Sequence, residues 1–127
     1  MRRTMIIALA VLVLSLMICA AGTWAVDSAA QRADALRKAA EHAVMLGDST
    51  GALKQVLTMS EKWQSDSRWL ELMTSHDALS DVRDAINDVR VCLENGARAE
   101  YFRASAVVAA ALERLRATEA VRLLNLF

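Results

Sequence analysis

The stretch Met5-Ile-Ile-Ala-Leu-Ala-Val-Leu-Val-Leu-Ser-Leu-Met-Ile-Cys-Ala-Ala21 carries no charge, and the rest of the chain is organised around it. Arg2 and Arg3 precede it, and Gly22-Thr-Trp-Ala-Val26 extends it to the first acid, Asp27. Wound as a helix at about 1.5 Å per residue, such a run crosses, or nearly crosses, a hydrocarbon core of about 30 Å. Arginines before the run and none soon after it predict an N-terminus in the cytoplasm and a chain that continues on the far side. The predicted organisation is a signal-anchor helix over residues 1–26 and an extracytoplasmic domain over residues 27–127.

Two rival readings use the same residues. Ala20-Ala21-Gly22 and Thr23-Trp24-Ala25 are small-x-small triplets at which a signal sequence is cut, and cutting would release a secreted helical protein. Cys19 would suit lipid attachment, but Ile18 stands where a small residue belongs. The length of the run, and Trp24 at its outer end where indole rings favour the headgroup level, favour the uncleaved anchor.

Composition points to an all-α protein. Proline is absent, glycine occurs four times, aromatic residues make up 5% and alanine is abundant. Few breakers and many strong helix formers leave helices as the expected elements. The formal net charge is zero; without Arg2 and Arg3 the remainder has 13 basic residues against 15 acidic ones, a charge of −2. That balance lacks the basic face that nucleic acid requires. The two cysteines, Cys19 in the apolar run and Cys92 beyond it, cannot readily pair in one molecule if the run spans a membrane, so no disulfide framework is expected. Cys92 reads as a small buried apolar residue.

Past the apolar run the chain reads as two helical hairpins, about four helices forming a small antiparallel bundle. A first helix over about residues 27–46 places Val26, Ala29, Ala33, Leu36, Ala40 and Ala43 on one face, and no breaker separates it from the apolar run. Gly47 supplies the left-handed residue past its end. A second helix from Ser49 or Thr50 carries Leu53, Val56, Leu57, Trp63, Leu70 and Met73, with Trp63 and Trp69 both assigned to the core. A third begins near Ser75 or Asp77, and its Leu79, Val82, Ile86, Val89 and Leu93 keep an unbroken alternation of three and four. Asn95-Gly96 ends it. A fourth runs from about Ala97 to Leu124 with Tyr101, Val108, Leu112 and Leu115 inward. The apolar ending Leu123-Leu-Asn-Leu-Phe127 is expected to dock on the bundle; its alternative use is contact with a partner or a membrane surface. Two hairpins with no tetratricopeptide consensus fall short of a solenoid.

Several short motifs together carry a likeness: the Arg2-Arg3 start with its apolar run, Leu46-Gly47-Asp48, Trp63, His76-Asp77-x-Leu79 and the ending Leu124-Asn-Leu-Phe127. They resemble an uncharacterised family of short bacterial membrane-anchored helical proteins. The resemblance spans nearly the whole chain and implies architecture and topology; no activity comes with it. It draws attention to His76 at a helix start.

Chemistry-bearing motifs are sparse. His42 and His76 are the two imidazoles, and neither belongs to a His-Glu-x-x-His zinc motif. No Cys-x-x-Cys, Gly-x-Ser-x-Gly or phosphate-binding lysine loop occurs. Gly47-Asp-Ser-Thr-Gly51 reads as a helix connection. No catalytic residue, cofactor or metal ligand is assigned. The expected role is a protein-interaction or structural module. It touches membrane lipid through its N-terminal helix and another membrane or extracytoplasmic protein through His76, Leu126 and Phe127. A small-ligand or cation sensor is the alternative class; it is disfavoured because only Met1–Thr4 would lie inside the cell as an output.

Asp77, Asp81, Asp84 and Asp88 share the face of the third helix opposite its apolar stripe. Carboxylates along one straight helix diverge into water, whereas calcium needs several oxygens converging on one point. Replacing Asp84 and Asp88 together by asparagine is expected to change stability by less than about 0.5 kcal/mol. Millimolar calcium should leave the melting temperature unchanged; a rise that the double variant abolishes would show a cation site.

Overall fold

A computed structural model describes Met1–Asn125; Leu126 and Phe127, two of the proposed interaction residues, lie outside the described residues. Four helices follow in order: α1 (Arg2–Met45), α2 (Ser49–Leu70), α3 (His76–Glu94) and α4 (Arg98–Asn125). No strand occurs among the described residues. The apolar run and the first bundle helix are one element. α1 is a single helix of 44 residues, about 66 Å long at 1.5 Å per residue. Arg2–Ile18 are all exposed, and this part projects as a bare stem. Packing begins at Gly22 and Val26 and continues through Ala29, Ala30, Ala33 and Ala40.

Short loops over 46–48, 71–75 and 95–97 reverse the chain each time, the mark of an up-down-up-down bundle. α1 touches α2 and α4, and α3 touches α2 and α4, with no contact across either diagonal among the described residues. The helices thus form a closed ring, with α1 against α4.

The two outer turns use the same chemistry. Gly47 has φ 78° and Gly96 φ 68°. Gly47 N–H donates to Val44 O at 3.0 Å and Asp48 N–H to Ala43 O at 2.9 Å; Gly96 and Ala97 repeat the pair with Leu93 O and Cys92 O. This paired bonding satisfies carbonyls left free at a helix C-terminus and calls for a left-handed residue, which glycine adopts without strain. Asp48 then caps α2 by accepting from Gly51 N–H at 2.9 Å.

The core holds Trp63, Tyr101, Met59, Ile86, Leu115 and a set of valines, packed on the alanine face of α1. Alanines there let α2 and α4 approach closely. Trp63 is 1% exposed and its indole N–H donates to Leu79 O at 3.3 Å, tying α2 to α3.

Three expectations are corrected. Trp69 is 70% exposed, not core. At about 100° per residue, Trp63 and Trp69 point about 120° apart, so one helix cannot aim both inward; Leu70 takes the inward place. Met73 lies in the loop after α2, which ends at Leu70. Of the ending expected to dock, Leu124 is exposed, while Leu126 and Phe127 lie outside the described residues. α4 runs on past the start of α3, so α3 offers it no neighbour there.

Trp63→Ala is expected to cost about 3–5 kcal/mol, whereas Trp69→Ala should change bundle stability by no more than about 0.5 kcal/mol. Denaturant unfolding of the two variants in detergent micelles checks this; equal losses would contradict the inward and outward assignments.

Candidate interaction surface

The end of the bundle from which the stem projects gathers several large exposed apolar residues. Trp24 of α1, Trp69 of α2, Leu72 of the α2–α3 loop, and Val121 and Leu124 of α4 are exposed there, Leu72 by 79% and Leu124 by 73%. Polar clasps hold these elements together. Arg122 Nη1 donates to Met73 O at 2.8 Å and pairs with Glu119 at 3.3 Å. Arg116 pairs with Asp27 at 2.7 Å, joining α4 to α1, and Arg32 pairs with Asp66 at 3.2 Å, joining α1 to α2. Met73 lies over Gly22, where an added Cβ would stand 3.6 Å from its Sδ.

His76 is the first residue of α3, on the same end, and is exposed. Its Nδ1 lies 3.1 Å from Glu71 Oε1 and its Nε2 3.4 Å from Ser80 Oγ. Together with Gln64, Arg68 and Arg83 these side chains rim a depression of about 220 Å³. Carboxylate, imidazole and hydroxyl stand in the order of a nucleophilic triad. Catalysis, however, needs donors aimed at a developing oxyanion, and Ser80 sits inside α3, where the backbone amides are committed to helical bonds. What the contacts achieve is orientation: Glu71 fixes the ring of His76 across the loop. The structure thus brings His76 to the end where α4 finishes. His42 is exposed on α1, and the four aspartates of α3 are exposed.

A polar network inside the α1–α4 seam has no counterpart in the sequence reading. Arg37, only 12% exposed, donates to Asp34 Oδ1 at 2.9 Å and to Ser105 Oγ at 3.3 Å, and pairs with Glu41 at 3.2 Å. The buried Ser105 hydroxyl donates to Glu41 at 2.9 Å. Asp34, Arg37 and Glu41, at spacings of three and four, are the signal that one side of this helix is a charged ladder. That Ser105 of α4 would meet it is a long-range fact. Beside the network, the Tyr101 hydroxyl is buried with no hydrogen-bond partner among the described residues. Burial, then the negative charge of Glu41, push its pKa up to about 12, with Arg37 and Ser105 acting in the smaller, opposite sense. Burial opposes ionisation of Asp34, but bonds and charge from Arg37 and Lys38 outweigh it and hold its carboxyl below the usual 3.8.

Compared with known proteins, the chain matches no family model, no curated protein and no solved structure.

Two titrations follow. Tyr101 is the chain's one tyrosine, so absorbance near 295 nm reports it alone; it should ionise near 12 in the folded protein and near 10 after unfolding. A raised pKa favours the protonated fold, so this contribution is present below pH of about 10 and is lost as pH rises through the folded value. A folded midpoint near 10 would place the hydroxyl in water. Asp34 has the opposite sign: its lowered pKa stabilises the fold above the unfolded value and is lost as pH falls through the folded one. Asp34→Asn should therefore be less stable than the parent at neutral pH, and the two should converge in acid.

Proposed function

We propose that this chain is a single-pass membrane protein, bacterial as the sequence resemblance implies. Its N-terminus lies in the cytoplasm and its bundle stands on the opposite face as a protein-interaction or structural module. The observation that carries the proposal is α1 itself, bare where it is apolar and packed where it is amphipathic, with no joint between. An apolar helix of that length left exposed needs a nonaqueous surround, and Arg2 and Arg3 give its direction. Retention of the segment is supported by the packing at Gly22 and Val26: a cut after Gly22 or Ala25 would fall inside α1 where it meets the bundle. An interaction role is supported by the oriented but solvent-open His76 cluster, which offers recognition groups and lacks the enclosure that chemistry requires.

A cysteine at position 84 tests the topology. Asp84→Cys, made together with Cys92→Ser, should react with a membrane-impermeant thiol reagent on intact cells, and the purified protein should keep the mass of the full chain. Labelling only after lysis would reverse the orientation, and a mass lacking the first residues would establish a secreted product. A photocrosslinking residue in place of His76 should capture a membrane or extracytoplasmic protein that the same residue in place of Asp88 does not.

A further inference from the structure

The exposed apolar rim at the stem end lies at the depth where the stem leaves the bilayer, and we propose that this rim is seated in the outer lipid interface of the same membrane. The inference rests on the membrane-spanning reading and goes beyond it, since a spanning stem can equally hold its bundle clear of the lipid. The depth follows from the helix. Counting from Met5, the first residue past the arginines and Thr4, about 30 Å of hydrocarbon at 1.5 Å per residue ends near Trp24. Packing of the bundle has already begun by then, at Gly22. The bundle therefore starts at the interface with no linker to lift it away.

The neighbours reach the same level or deeper. Met73 of the α2–α3 loop lies over Gly22. Ile18, Cys19, Leu72 and Arg122 border one depression, so α4 is already beside Ile18 at Arg122 and continues beyond it. What these elements show outward is chemically matched to the site: two indoles, Trp24 and Trp69, with Leu72, Val121 and Leu124. Indole rings favour the headgroup level, and leucine and valine favour the acyl boundary just below it. Glu71, between Trp69 and Leu72, turns to His76, and the polar groups of α4 among them are paired. Glu119 is buried against Arg122, and Arg122 spends a donor on Met73 O. The Arg122 side chain is 56% exposed, and its guanidinium can reach up to headgroups along its own stem. An apolar rim of this kind in water is a liability; continuous with a spanning helix, it is a foot.

Native tryptophans make the test. The full chain is reconstituted in phosphatidylcholine vesicles with and without bromine atoms high on the acyl chains, which quench nearby indoles. Trp24→Phe leaves Trp69 and the core Trp63; Trp69→Phe leaves Trp24 and Trp63. The expected result is that brominated lipid removes the Trp69 emission from the first variant and the Trp24 emission from the second, leaving the Trp63 component in both. Quenching of Trp24 without Trp69 would overturn the seated rim while upholding the span. No quenching of either would overturn the span and the rim with it. A blue-shifted but unquenched Trp69 would mean that protein, in place of lipid, covers the rim, and would also overturn the proposal.

Discussion

The continuity of α1 is the constraint on which the remaining structure depends. One helix serves as both stem and bundle wall, so the two share an axis, and every residue of the wall has its angular position set relative to the stem. Where the helix is apolar all round, from Met5 to Ile18, its residues are exposed among the described residues; where alanines form a single face, α2 and α4 close in. The change occurs within a turn or so of Gly22, without a break in backbone hydrogen bonding. A flexible connection would have left the bundle's orientation undetermined. This arrangement fixes which loops face the stem end and which face away.

Stability is distributed unevenly along that axis. Trp63, Met59, Ile86 and Tyr101 fill a core in which the large groups come from α2, α3 and α4 and the small ones from α1. The α1–α4 seam then depends on a charged network that burial alone would oppose. Arg37 is the hinge of it, meeting two acids on its own helix and a hydroxyl on the other. Such networks add little net energy to a fold, yet removing one member leaves the others unpaired, so they fix register more than they add stability.

Much of the architecture was legible because local chemistry dictates it. Gly47 and Gly96 announced two helix ends, and the unbroken stripe from Leu79 to Leu93 announced α3, most of it facing the core as read. Trp69 was misread because size was given more weight than angle: the six-residue step from Trp63 already forbade a shared face. Leu124 was misread for a different reason. Docking requires a neighbour at the right height, and the relative lengths of α3 and α4 are not written in any one segment. His76 was noticed, but its partners Glu71 and Ser80 emerged only from the loop geometry, and the gathering of Trp24, Trp69, Leu72 and Leu124 at one end emerged only from the folding back of the chain.

The seam between α1 and α4 also has a temporal meaning. Its bonds join residues 64 to 89 positions apart, from Glu41 with Ser105 to Asp27 with Arg116. α2 and α3 pair with their sequence neighbours and can assemble as soon as each hairpin is made. Of these four helices α1 is made before the others and α4 after them, and the slot that α4 fills stays open until α4 itself has been made. During that interval Val26, Ala29 and the Arg37 cluster face an unoccupied groove. Closure of the bundle is therefore an event at α4, and a chain stalled short of Arg116 is an open three-helix trough with its apolar floor on display.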